Sequence, residues 1–412
     1  MNAAPLEPDG KSPERWVVAV AALGIALRLW LTLTTVGTDD IRNSALWADA
    51  ALQFGLVHAY DHSVWLNHPP LGLAEMASLR FLAASAGVPF ILVFRLAQTL
   101  ADVVAYACLL RIGRRSGVGA WVAPFYFLSV PAVLMGGFHG NSDSTMVALV
   151  LVAAALSTRR PAAAGVALAA ATGIKIVPLL LAPAFFLAAR GRSRFAAGWS
   201  VVMVLLFGVP TIFGGAALLR NTLLYRGMGD WWGFVSMLIA AARRRSWLDP
   251  MLEVIRKVDP GIVVALVLAI ACWLWRELRA GADEPRALRL LLAACGMVFV
   301  TLLVAGTGFG VQYLLWPMPF LPFFARPSLR VAVSIAASLF LVVVYTRWSG
   351  GFPWRFAIST RPGATTDALV AGGWLVWATL LAAGIAGPRW ASRARYPPVP
   401  AEPAGAAAVS TS

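Results

Sequence analysis

The chain has 412 residues, of which 59% are apolar and 13% charged, and its mean hydropathy is +0.75. A water-soluble domain averages roughly 25% charged residues, so lipid must cover this surface, and a soluble globular enzyme or binding module is excluded. The net charge of +15 comes without a basic helix or an aromatic RNA-binding pattern. That excludes a nucleic-acid partner and leaves the bias of Lys and Arg toward the cytoplasmic loops of membrane proteins.

Residues 1–15 are polar and read as a cytoplasmic tail. The apolar stretch after them is long and has no small-residue cleavage site before Gly37, so it reads as a spanning helix rather than a removable signal. Spanning segments follow from it at 16–36, 90–110, 119–137, 143–158, 162–174, 176–190, 195–214, 261–278, 287–305, 311–325, 329–346 and 367–387, about twelve in all. The pair flanking Lys175 is short for two full crossings and fits a broken or re-entrant hairpin equally well. Residues 71–87 are apolar enough to cross, but a crossing there would put Arg111, Arg114 and Arg115 outside. They read as an amphipathic helix at the outer interface. The expectation is an all-α polytopic protein: one transmembrane domain over 16–390, outer loops at 37–89 and 215–260, and a disordered cytoplasmic tail over 391–412. Cys108, Cys272 and Cys295 lie in apolar segments without disulfide or metal-ligand spacing.

With the N-terminus cytoplasmic, about 19 of the 34 basic residues fall in short loops and tails on that one side, where the positive-inside bias has most force. Both termini are then cytoplasmic. All four histidines, His58, His62, His68 and His139, and the pair Asp39–Asp40 fall on the outer side, so the chemistry is expected there.

The candidate residues follow from that placement. Asp39 and Asp40 directly follow the first helix, at the membrane–water boundary. A carboxylate there can act as a base beside a lipid head group, or simply mark the helix end. In the short turn FHGNSDS, one of Asn141, Ser142 and Asp143 would cap the next helix, which leaves His139 unexplained. Lys175 lies in an apolar run, where a lysine costs about 2.5–3.5 kcal/mol to insert, so it is a functional candidate by default; the alternative is snorkelling to the interface. Arg28 inside the first helix raises the same question. Gln312 and Tyr313 head a late span, as interfacial anchors or as site residues. In the long outer loop, Arg220, Arg226 and the run Arg243–Arg245 suit an anionic head group or anionic lipid, and Trp231 and Trp232 suit a sugar or the interface. His58 and His62 are four apart, but no third ligand stands at a metal spacing, so no metal is expected.

These residues resemble the GT-C fold glycosyltransferases, membrane enzymes that use polyprenyl-phosphate sugars. The resemblance is carried by Asp40 with Trp47 seven positions on, by Asn67-His68-Pro69-Pro70-Leu71, by the His139-x-Asn141-x-Asp143 turn, by Lys175 ahead of Pro178 to Pro183, and by Gln312 to Pro317. It covers roughly residues 16–345. His68 stands where relatives usually have Tyr, and Asp143 where some have Asn. The resemblance implies inverting, metal-independent transfer of a hexose, mannose or glucose, from a polyprenyl-phosphate sugar to an extracytoplasmic glycan or glycolipid. Asp40 would be the general base, and Lys175 and an arginine such as Arg220 would hold the phosphate. Asp39, His68, His139, Asn141, Asp143, Gln312 and Tyr313 would bind donor or acceptor. No cofactor is implied, the lipid-linked sugar being a substrate. The composition further suggests a monomer in a bacterial plasma membrane. The rival readings are a secondary transporter or flippase, which would show matching broken helices in two halves, and an acyl- or phosphate-group transferase.

Overall fold

The computed structural model describes residues 13–63, 65–225, 249–349 and 367–394, together with 232, 233, 236, 239, 351, 354 and 396. Of the tails expected at 1–15 and 391–412, residues 1–12 and 397–412 lie outside the described residues, as do Arg226, Trp231 and Arg243–Arg245, whereas 13–15 and 391–393 are helical, continuing the first and last helices. Among the described residues the chain is helical, with no strand.

The helices are α1 (Pro13–Thr34), α2 (Asp39–Phe54), α3 (Pro70–Ala86), α4 (Phe90–Ser116), α5 (Val122–Phe127), α6 (Val130–Leu134), α7 (Asp143–Leu156), α8 (Pro161–Ile174), α9 (Ala182–Ala188), α10 (Arg192–Met203), α11 (Val209–Gly214), α12 (Ala216–Leu223), α13 (Asp249–Arg279), α14 (Glu284–Ala305), α15 (Leu321–Phe324), α16 (Pro327–Trp348) and α17 (Asp367–Arg393). Seven helical stretches among the described residues are long and apolar enough to cross a membrane: α1, α4, α10–α11, α13, α14, α16 and α17. They coincide with seven of the expected spans. The other five are shorter or interrupted. Residues 119–137 break into α5, α6 and a π-helical turn, Met135–His139. Residues 311–325 form a 3-10 turn, Val311–Leu315, and the short α15. α14 is the central helix, 72% buried, whereas α10–α11 runs along the outside at 6%.

The half-length helices shape the site. α7 and α8 have 14 residues each, about 21 Å at 1.5 Å per residue, against roughly 30 Å for a bilayer core. Their ends away from the site meet at Glu284, which pairs with Arg115 (2.6 Å), Arg190 (3.2 Å) and Arg159 (3.8 Å). Arg159 precedes α8 and Arg190 follows α9, so the α8–α9 segment leaves the Arg-rich end, turns at Lys175 and returns. Two short crossings and a re-entrant hairpin share this course, with Lys175 at the turn. At that point the backbone is extended (φ −141°, ψ 142°) and passes into a 3-10 turn, Val177–Leu181, which opens on the Val177–Pro178 pair.

α2 and α3 pack together over the end of the bundle opposite the Arg-rich loops. α3 matches the helix expected at 71–87. α2 is a helix where the sequence suggests only an outer loop. Asp39 and Asp40 in its first turn oppose the helix dipole favourably, and Gly55 ends it at φ +82°. Gly72 lets α3 press on the end of α8: a Cβ there would stand 2.6 Å from the Ile174 carbonyl oxygen.

Two intramembrane arginines are structural. Arg28 Nε donates to Asp102 Oδ2 at 2.9 Å, both side chains fully buried. Its Nη1 donates to the Gly24 and Phe127 carbonyls, and the Tyr126 hydroxyl donates to Asp102 Oδ1 at 2.7 Å. Arg95 is taken up below.

Candidate active site

Asp40 stands where α1, α2 and the π-helical turn meet, and two devices lock that junction. The Thr38 hydroxyl donates to the His139 carbonyl at 2.8 Å. The buried Arg95 guanidinium, reaching from α4, donates to the carbonyls of Thr32 (2.8 Å), Thr35 (2.8 Å) and Gly137 (3.2 Å), and to the Thr35 hydroxyl (2.9 Å). One buried cation thereby ties the end of α1, just before Asp40, to the turn that carries His139. Gly140 closes the turn at φ +76°, and a Cβ there would collide with Ile41.

The Asp40 carboxylate is held by one oxygen. His139 Nε2 (2.9 Å), Asn141 Nδ2 (2.8 Å) and Gln312 Nε2 (3.5 Å) all converge on Oδ2, and none donates to Oδ1. Burial works against the charge. The hydrogen bond and electrostatic pull of the His139 ring, the hydrogen bond from Asn141 and the nearby Lys175 ammonium outweigh it and hold the carboxyl well below its ordinary range. Asp40 is therefore ionised, with Oδ1 left for a ligand.

Lys175, at the end of α8, donates to Asp143 Oδ1 at 2.7 Å, and Trp316 Nε1 donates to the same oxygen at 2.6 Å. The ammonium lies 5.0 Å from the centre of the Tyr313 ring and 5.5 Å from that of Trp316, a cation–π arrangement on both faces it touches. Asp143 is fully buried, as capping alone would not require; it is the counter-ion of Lys175.

Between these groups lies a cavity of about 510 Å³, within the roughly 300–1,000 Å³ typical of small-ligand sites. Asp40, Asn141, Lys175, His68, Gln312 and Tyr313 line it, with Asn43, Asn67, Trp47, Trp65 and Tyr225. The imidazole of His68 packs against Trp47, ring centres 5.5 Å apart. Burial, reinforced by the Lys175 charge, pulls it down to about 3 against the opposing pull of Asp40, so His68 is neutral. Asn43, Trp65 and Tyr225 carry no signal in the sequence, since nothing there distinguishes them from other polar and aromatic residues of the outer segments.

Four residues expected in the site do not line the cavity. Asp39 shares the first turn of α2 but lies outside the wall; partial burial raises its carboxyl, Arg42 opposes this and Asp40 adds to it. His139 and Asp143 sit behind the wall, bonded to Asp40 and Lys175. Arg220 is exposed, and among the described residues it donates to the adjacent Asn221 side chain at 3.3 Å. Its neighbour Asn221 turns inward and braces the first outer loop, donating to the Ser63 carbonyl at 2.9 Å. Of the remaining histidines, His58 faces Asp61 at 3.5 Å and His62 stacks on Phe54 with centres 3.7 Å apart.

No curated protein matches the chain. The sequence model of glycosyltransferase family 87 matches residues 65–306, more than half the chain. The match takes in His68, His139, Asn141, Asp143 and Lys175; Asp40, Gln312 and Tyr313 lie just beyond its ends. It bears out the resemblance to membrane glycosyltransferases and decides for a transferase over a transporter. The chain belongs to glycosyltransferase family 87 and is a multi-pass membrane glycosyltransferase.

Proposed function

We propose that the protein is an inverting, metal-independent GT-C enzyme that moves a hexose, mannose or glucose, from a polyprenyl-phosphate sugar to a hydroxyl of an extracytoplasmic glycan or glycolipid. The observation that carries this reading is the pairing of one carboxylate and one ammonium, Asp40 and Lys175, on the wall of a single cavity. Lys175 is the one cation among the described lining residues, and Asp143 already neutralises part of it. That balance suits the single charge of a lipid phosphodiester better than a nucleotide diphosphate. Trp47, Trp65 and Tyr313 offer faces for the apolar side of a sugar ring, and Asn43, Asn67 and Gln312 offer amides for its hydroxyls.

In the reaction, the acceptor oxygen bonds to the anomeric carbon from the face opposite the phosphate. The bond from that carbon to the phosphate oxygen breaks, and its electron pair stays on the departing lipid phosphate. The acceptor proton passes to Asp40 Oδ1. A carboxylate held this low is a weak base toward an intact alcohol. It becomes competent once bond formation makes the acceptor oxygen strongly acidic, so the proton moves late. Lys175 faces the charge that grows on the phosphate. The half-length helices support entry of a lipid-borne donor, because they set the site below the level that a full crossing would reach. The bacterial plasma membrane, cytoplasmic termini and an outer-side site belong to the same proposal, supported by the distribution of Lys and Arg.

The test is a donor screen. Purified protein in lipid nanodiscs is given polyprenyl-phosphate mannose, polyprenyl-phosphate glucose and nucleotide sugars, with extracted membrane glycolipids as acceptors, and products are read by mass spectrometry. Transfer from a lipid-phosphate hexose is expected. Transfer from nucleotide sugars alone would overturn the proposal.

A further inference from the structure

His139 reaches in two directions. Its Nε2 lies 2.9 Å from Asp40 Oδ2, and its Nδ1 lies 2.6 Å from the hydroxyl of Tyr345. Tyr345 stands on α16, 206 positions away in sequence, and is fully buried. Its ring meets the edges of Phe138 (centres 5.0 Å) and Trp354 (6.1 Å). Among the described residues, the hydroxyl's other partner is Met135 Sδ at 3.8 Å, a weak acceptor. Phe would fill this box as well, and a buried hydroxyl costs free energy unless it is bonded. The hydroxyl is therefore explained by His139.

Two proton arrangements fit the distances. In one, the Tyr345 O–H donates to Nδ1 of a neutral ring whose Nε2–H donates to Asp40. In the other, an imidazolium donates to both, and the Tyr345 proton is left facing sulfur. The charged and titratable groups around His139 are Asp40 from α2, Asp143 from α7, Lys175 at the end of α8, Tyr345 from α16 and Arg95 from α4, whose guanidinium bonds the Gly137 carbonyl. Asp143 is occupied by Lys175 and Trp316, so the partners of the His139 ring are Asp40 and Tyr345. Only the first arrangement gives every strong donor a strong acceptor.

We propose that Tyr345 is a positioning residue that acts through His139: its hydroxyl holds the imidazole neutral, in the Nε2–H tautomer, so that Asp40 receives a hydrogen bond without an adjacent positive charge. The functional consequence rests on the reading of Asp40 as the base. A neutral donor orients the carboxylate and leaves it more basic than an imidazolium would. When Tyr345 is removed, the Nδ1 lone pair stands unmet, and the ring takes a second proton that pairs with Asp40.

The chain has four histidines, so ring ¹⁵N spectra of histidine-labelled protein in nanodiscs are simple, and His139 is assigned as the signal missing from His139→Gln. At neutral pH the wild type is expected to show one protonated and one bare nitrogen, and Tyr345→Phe two protonated nitrogens. A doubly protonated His139 in the wild type, or identical spectra in the two proteins, would overturn the assignment. With the lipid-phosphate hexose that the wild type accepts, Tyr345→Phe lowers kcat roughly tenfold, leaves the donor KM unchanged and recovers as pH is raised. The same substitution adds no further loss in the His139→Gln background. A loss constant across pH, or one additive with His139→Gln, reduces Tyr345 to packing and rejects the proposal. Absence of transfer from any lipid-phosphate sugar removes the glycosyl-transfer reading instead, while the ¹⁵N spectra still decide the His139–Tyr345 arrangement.

Discussion

Lys175 and Asp143 form an ion pair with one open end: the contact is 2.7 Å, the Asp143 side chain is fully buried, and that of Lys175 keeps 12% of its surface exposed on the cavity wall. Under the proposed function, the phosphate of the donor would meet an ammonium that is already oriented and partly neutralised, which favours release of the product phosphate as much as capture of the donor.

Breaking this pair separates binding from stability. Lys175→Met leaves Asp143 a buried carboxylate facing only Trp316, and is expected to cost about 3–5 kcal/mol of stability and to weaken donor binding roughly tenfold or more. Lys175→Met combined with Asp143→Asn restores thermal stability, because no uncompensated charge remains, but does not restore donor affinity. Thermal denaturation and donor titration on the three proteins check both halves. Recovery of affinity in the double variant would remove Lys175 from phosphate binding.

Adjacent carboxylates are expected to differ in consequence. Asp40→Asn lowers transfer by about 10²–10⁴-fold, the usual worth of a general base, with donor binding intact. Asp39, off the cavity wall, changes transfer by less than about threefold as Asp39→Asn. Initial rates with saturating donor decide it; equal losses in the two variants would contradict the placement of Asp40 alone at the reacting atoms.

Arg28 and Asp102 are both fully buried at 2.9 Å, so removing one partner strands the other. Arg28→Met is expected to cost about 3–5 kcal/mol, and Arg28→Met with Asp102→Leu to regain most of it. The donor KM stays unchanged in the double variant. Thermal unfolding and steady-state kinetics measure these separately.

His68 makes stability depend on pH. Its imidazole titrates at about 3 in the folded protein, against roughly 6.5 in an unfolded chain. Between those values the unfolded chain binds a proton that the folded one refuses, so this contribution is complete above about 6.5 and declines as pH falls toward 3. The melting temperature of the wild type should fall by several degrees from about pH 7 to about pH 5, and His68→Gln should flatten that slope. Identical slopes would mean that His68 is protonated or solvated in the folded state.

Much of the site was legible before any tertiary contact was known. Asp40, Lys175 and the His139–Asn141–Asp143 turn stand out because polar groups beside or within apolar runs are costly and need a reason. Arg95 carried the same signal, a lone cation in the apolar stretch of α4, and it proved to bind backbone carbonyls rather than a substrate. Tyr345 carried no signal, since an aromatic residue in a spanning helix reads as packing. Arg220 misled in the other direction: its charge pointed to phosphate, yet the short α12 turns it outward and turns Asn221 in to brace the first outer loop.

The sequence by itself determined the membrane class, the helical architecture, most of the long spans and the segregation of polar groups to one end, because hydropathy and charge act locally and are written residue by residue. Only the tertiary structure decided which of those groups meet. Asp40 and Gln312 are 272 positions apart and His139 and Tyr345 206, and a hydrogen bond forms or fails over a few tenths of an ångström. That precision comes from helices packing against one another: α8 turning back at Lys175, Gly72 admitting α3, and Arg95 binding the end of α1 to the turn that carries His139.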